Sequence, residues 1–265
     1  KEHDMEIAPE NQDTYQGLRD IIIKLRSPDG CPWDQEQTHT TLRRNLLEEC
    51  YETLEALDSG NSQSLSEELG DVLMQIVFHC QIAEENGDFT DGDMFRRINE
   101  KLIHRHPHVF GDVVVKDARE VEANWEETKK KERGAHVSVL DGVSKAMPAL
   151  GYGQSITFRA SQAGFEWEDI SGVMDKVCEE IGELEAAPTK AEMEREFGDV
   201  LLSLVNVARW LEIDAESALR SANDRFYSRF THIEDGARAQ GRPVRKMSMG
   251  EKEALWDEAK RAEKH

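Results

Sequence analysis

Two groups of carboxylates recur in this chain at helical spacing. The first is Glu48, Glu49 and Glu52 in "LEECYE", followed by Glu68 and Asp71 in "ELGD". The second is Glu179, Glu180 and Glu183 in "CEEIGE", followed by Glu196 and Asp199 in "EFGD". Residues three or four apart share a helix face, and like charges there repel. A solvated acidic face explains one such cluster in a Glu-rich chain. It does not explain two clusters repeated in the same order. Oxygen ligands with no His or Cys among them suit Mg²⁺, with Mn²⁺ as a substitute. Mg²⁺ held by carboxylates usually completes its shell with water and phosphate oxygens. The pattern therefore points to metal-assisted chemistry on a polyphosphate.

A basic pair and a Trp follow each acidic group: Lys101, Arg105 and Trp125, then Arg225, Arg229 and Trp256. Spacing of four puts each basic pair on one helix face, where it can clamp phosphate oxygens. The Trp can stack on a base or pack. Lys176, four residues before Glu180, adds a cation that the earlier group lacks, since Asn45 holds that place. The later group is thus the better equipped site.

The elements that position these residues read as helices. Apolar periodicity marks Tyr15–Arg26, a stretch ending at Ser59–Gly60, and another ending at Pro107. A charged helix follows in "EVEANWEETKKKER". No run alternates as a strand, and Val113–Val115 is too short to build a sheet on. The stretches "VLMQIVFHC" and "VLLSLVNVA", apolar almost all round, are expected to be buried. After a non-periodic joint the order of elements returns. Glu49 maps onto Glu180 at an offset of 131, and Glu68 onto Glu196 at 128. This predicts an all-α chain of two related helical-bundle domains from an internal duplication. The domains would span residues 1–134 and 148–265, with a linker at 135–147 and the main catalytic site in the second. Small cores of this kind invite packing against a second copy, so a homodimer is expected.

A net charge of −21 argues against nucleic acid and anionic membrane surfaces as partners. "KEHDMEIAPENQ" has no apolar signal core, and "VLLSLVNVA" is too short to span a bilayer. Cys31, Cys50, Cys80 and Cys178 form no CxxC, which suits reduced thiols in a cytoplasmic protein. In "HRHPH", Pro107 reads as helix termination, and Glu36-x-x-His39 is not repeated. "KKKER" reads as a solvated helix end. A di-iron bundle would need paired ExxH motifs where this chain has ExxD; a purely structural helical dimer is the other rival.

With these motifs in view, the chain resembles the MazG family of nucleoside triphosphate pyrophosphohydrolases over nearly its whole length. The resemblance rests on "EECYE" with "ELGD", "EEIGE" with "EFGD", "GCPWDQEQT", "RHPHVF" and "GFEW". It implies a dimerising helical enzyme that uses Mg²⁺ to convert a nucleoside triphosphate, ATP among them, to the monophosphate and pyrophosphate. It further implies Glu180, Glu183, Glu196 and Asp199 as metal ligands, with Glu49, Glu52, Glu68 and Asp71 as their counterparts. Lys176, Arg225, Arg229 and Trp256 become nucleotide contacts. The chemistry of a metal-activated water attacking in line at the α-phosphate then makes Glu179, Glu180 and Lys176 the expected catalytic group, with Glu179 orienting the water. Where the family usually has a Lys-rich helix after "PAL", this chain has "GYGQSITFRAS", whose single cation is Arg159.

Overall fold

The structure, a computed structural model, describes residues 11–118 and 138–263, together with 120, 121, 124, 125, 128 and 132. Among these residues every regular element is helical. In chain order they are α1 (Tyr15–Arg26), α2 (Pro32–Gln35), α3 (Arg43–Ser59), α4 (Ser62–Asn86), α5 (Asp91–Arg105) and α6 (Pro107–Phe110). After them come α7 (Ala149–Gln162), α8 (Ile170–Ala186), α9 (Lys190–Trp210), α10 (Ala215–Ala239) and α11 (Met249–Ala262). The expected charged helix and "KKKER" lie largely outside the described residues, as does the start of the expected linker. The chain divides into two units, Lys1–Thr128 and Lys129–His265.

Side chains set the helix limits locally. Thr14, Asn61, Thr90, Asp169, Thr189, Asp214 and Ser248 each accept hydrogen bonds from first-turn N–H groups. These caps satisfy donors that no helical carbonyl can reach. Gly60, at φ 67°, closes α3 in the left-handed conformation that glycine adopts without strain. α5 ends at Arg105 and Pro107 begins the short α6, so the proline does interrupt the helix.

In the first unit α3 and α4 pack along each other as a hairpin, and α1 lies across α4. Ile22, Leu42, Val77, Phe78 and Ile82 form the core between them. Arg26 fastens the Trp33 loop to this frame. Its guanidinium pairs with Glu85 at 2.6 Å and donates to the Asp34 and Gln37 carbonyls at 2.5 and 3.2 Å. The second unit repeats the plan, with α8 packed along α9, and α7 against α9. α11 packs on α10 over Ile233, Ala237 and Met247.

One expectation needs correction. The apolar stretches of α4 and α9 are not buried all round. Val77, Phe78 and Ile82 are inside, but Leu69 and Leu73 are 52% and 39% exposed. Tyr51 and Leu54 on α3 continue that open face, and Phe197, Leu201 and Leu204 form a similar one on α9. Each unit covers one side of its hairpin with its own helices and leaves the other bare.

Candidate metal and nucleotide site

Hairpin packing brings the carboxylates together. In the first unit, Glu49 from α3 meets Glu68 and Asp71 from α4, with one oxygen of each within 4.8 Å of the others. In the second, Glu180 and Glu183 from α8 meet Glu196 from α9 within the same limit. Three of the four acids expected in each hairpin thus converge between its two helices. Glu52 and Asp199 lie outside these tight triads, although Glu52 is close enough to Glu49 and Glu68 to repel both.

The two sites differ electrostatically. Burial first, and then Asp71 and Glu52, raise the Glu49 carboxyl above its ordinary range. Glu68 is raised likewise by desolvation and by Glu52 and Asp71. No Lys or Arg forms an ion pair with any of the four acids among the described residues. In the second unit Glu180 and Glu196 are only 6% and 5% exposed. Lys176 stands 2.8 Å from Glu179 and 2.7 Å from Glu180, and these bonds hold its ammonium pKa above the usual value. Arg195 pairs with Glu196. The sequence did not reveal this partner, because adjacent helix residues do not face each other and leave no periodic signal.

One atom tests whether a cation fits. Glu180 Oε2 is buried with no hydrogen-bond partner. A buried carboxylate oxygen costs free energy unless something positive meets it. Here it belongs to a three-carboxylate, all-oxygen cluster, the donor set a hard divalent ion takes. The residues present therefore fit Mg²⁺.

The nucleotide contacts expected on α10 and α11 have partners within the chain. Arg229 pairs with Glu263 through both terminal oxygens, at 2.9 and 2.6 Å, and its Cζ lies 5.3 Å from the Trp256 ring centroid. Trp256 also packs edge-on against Phe226 and against the α10–α11 core. Arg225 bonds Ser221 at 2.6 Å. Arg229 and Trp256 thus form one structural group, and neither is free to meet a phosphate without exchanging partners. In the first unit Arg105 sits 5.5 Å over Trp125, so the same Arg–Trp pair follows each hairpin. Arg159 donates to the Asp141 carbonyl at 2.6 Å. His39, from the unrepeated Glu36-x-x-His39 motif, stacks on His79 with their Nδ1 atoms 2.8 Å apart.

Comparison with known proteins bears on these sites. The model of the MazG nucleotide pyrophosphohydrolase domain matches residues 37–110, which contain the first hairpin and its carboxylates. The chain is 45% identical over 247 residues to the nucleoside triphosphate pyrophosphohydrolase/pyrophosphatase MazG of Thermotoga maritima, covering 93% of this chain and 95% of that one. It is 41% identical over 254 residues to the nucleoside triphosphate pyrophosphohydrolase of Escherichia coli K12, covering 93% and 97%. An uncharacterized Bacillus subtilis protein, YabN, is 45% identical over 255 residues, which cover 94% of this chain and 52% of that one.

Proposed function

Because the chain belongs to the MazG family, we propose that it is a nucleoside triphosphate pyrophosphohydrolase working at the α8–α9 carboxylate cluster. It would take a triphosphate to the monophosphate and pyrophosphate with Mg²⁺, or Mn²⁺ in its place. The observation that carries the site assignment is the buried, unpartnered Glu180 Oε2 inside an all-carboxylate triad. The relatives' names supply the reaction class.

Glu180, Glu183 and Glu196 would hold the ion, with Asp199 one turn beyond Glu196 joining them. When bound, Mg²⁺ supplies charge neutralisation at the phosphates and acidifies water near them. The chain's own residues do the rest. Glu179, exposed and tethered by Lys176, would orient the attacking water and accept its proton. Lys176 offsets charge developing on the departing pyrophosphate. For Arg229 to reach a phosphate it must release Glu263, and Arg225 must release Ser221; both are chemically ready exchanges for a doubly charged oxyanion. The opposite wall is the open apolar face of the hairpin, which a second copy of the chain would cover to form a homodimer. The shared order of acids, hairpin and Arg–Trp pair supports an internal duplication, with the second unit as the main catalyst.

The test is turnover of a panel of nucleoside triphosphates with and without Mg²⁺, with products identified by chromatography. Monophosphate and pyrophosphate in equal amounts, dependent on the ion, support the reading. Release of orthophosphate alone, or equal activity in chelator, rejects it.

A further inference from the structure

In the first unit a turn at residues 36–42 joins α2 to α3. Its ends are fixed: Arg26 donates to the Gln37 carbonyl at 3.2 Å, and Leu42 is buried in the core. Between them the Thr38 N–H donates to Thr41 Oγ1 at 2.8 Å, and the Thr41 N–H to Thr38 Oγ1 at 3.2 Å. From this self-closed turn His39 reaches across to α4, where its Nδ1 stands 2.8 Å from Nδ1 of His79. His39 is exposed and His79 half-buried.

Two ring nitrogens at that distance share one proton, because one must donate and the other accept. Among the described residues no third His, Cys, Asp or Glu joins them in a metal-sized group. The surroundings decide which ring donates. His79 Nε2 is buried without a partner, and so is Oε1 of Gln75, one turn back on the same face of α4. An amide oxygen can only accept, so its complement is a proton on His79 Nε2, met directly or through a buried water. A neutral His79 with that proton has a bare Nδ1. His39 is then the donor and His79 the acceptor.

Two additions of a proton have opposite effects on such a pair. The first goes to Nε2 of the exposed ring, His39, and makes the bond charge-assisted and tighter. The second has only Nδ1 of His79 left to take it. Two N–H groups then point at each other, and two imidazolium charges repel.

Other charges do not blur this. Asp34 and Glu36 precede His39, and Arg43 and Arg44 follow it. On α4, Glu84 and Glu85 are bonded to Arg19 and Arg26 of α1. None of these bears on His79, whose pKa is lowered by burial first and then by His39. The unfolded chain takes up this proton near the ordinary 6.5 and the folded chain only at lower pH, so stability falls as pH drops below that value.

We propose that the His39–His79 contact is an acid-released latch in the first unit. It holds the turn at residues 38–41 against α4, persists when His39 is charged, and opens when His79 is charged as well. Opening frees the segment that leads into α3, the helix of Glu49 and Glu52. The offset that carries Glu68 onto Glu196 places Val207 where His79 stands, so the second unit lacks the acceptor.

Nitrogen-15 spectra of the full chain labelled at histidine test the proton, and hydrogen exchange read by mass spectrometry tests the turn. At neutral pH one ring should carry Nδ1–H, and that signal should vanish in His39→Phe. Protection of residues 36–42, corrected for the intrinsic pH dependence of exchange, should fall roughly 2- to 10-fold in the wild type between about pH 8 and about pH 4. His39→Phe, its fold checked by circular dichroism, should show that loss already at the upper end and change little with acid. Finding both rings as Nε2–H tautomers at neutral pH would overturn the latch. So would equal protection of the turn in wild type and His39→Phe at the upper end of the range.

Discussion

At the scale of single residues, the two carboxylate triads are both all-oxygen but differ in their surroundings. Lys176 sits against Glu179 and Glu180, whereas the place that corresponds to it in the first unit is Asn45. If the second unit is the main catalyst, Glu180→Gln and Asp199→Ala each lower kcat at least about 100-fold with melting temperature retained, because a ligand is lost from the site where charge is neutralised. Glu49→Gln should leave most turnover intact. Near-normal activity in Glu180→Gln, or complete loss in Glu49→Gln, would move catalysis to the first hairpin. At this scale the sequence was legible wherever chemistry repeats at a fixed helical offset. Hence the spacing singles out Glu49, Glu68 and Asp71, and Glu180, Glu183 and Glu196, which do converge in space. It was not legible for Arg195 or the Glu166–Arg209 pair. These contacts join neighbours on different faces, or residues 43 apart, and neither leaves a period. Spacing singles out Arg229 and Trp256, but their mutual stacking depends on where α11 docks, which no spacing encodes.

At the scale of elements, the caps and stops were readable and the burial was not. Ser59–Gly60 and Pro107 end their helices as their chemistry requires. The apolar runs of α4 and α9 were expected to be buried all round, but burial depends on how many neighbours a helix has. α11 shows how one cap links to pH. Its N-terminal capping box pairs Ser248 with Glu251, and Arg242 also binds Glu251. The Arg242 hydrogen bond, with those from Ser248, lowers the Glu251 pKa to about 2. An acid depressed in the folded state stabilises above its unfolded pKa, near 4.5, and loses that contribution as pH falls toward about 2. Acid unfolding followed by tryptophan fluorescence should therefore differ between wild type and Glu251→Gln above this window and converge at its lower end. Because the pair is solvent-exposed the difference is small. Parallel curves through the whole range would show that the cap carries no pH dependence.

At the scale of the whole molecule, composition and architecture meet at the open hairpin faces. Leu69 and Leu73 on α4, and Leu201 and Leu204 on α9, are exposed in a chain whose net charge is −21. High like charge discourages casual association, so contiguous apolar surface in such a molecule marks a specific contact. Sedimentation of the full chain at micromolar concentration should show a dimer, and Leu73→Glu or Leu201→Glu should weaken it at least about tenfold, since each would bury a charge. A monomeric wild type would remove the homodimer from the proposal. The all-helical architecture of the described residues was legible from periodicity. The division into two units falls at 128/129, before the joint expected at 135–147. No described helix is long and apolar enough to cross a membrane, as the shortness of its apolar runs foretold.

The lysine of the second hairpin has a consequence for the order in which the molecule becomes complete. Lys176 is already bonded to Glu179 and Glu180, so an ion arriving there meets an occupied carboxylate and must compete with an ammonium group. Glu49, Glu68 and Asp71 have no such placeholder; burial first, and then the neighbouring carboxylates, raises the Glu49 and Glu68 carboxyls above their ordinary range. If both hairpins take the proposed ion, the first would offer it carboxylates with no competing cation, while the second would have to turn aside a side chain. In the proposed scheme Lys176 stands in for the ion on its own helix until the ion arrives.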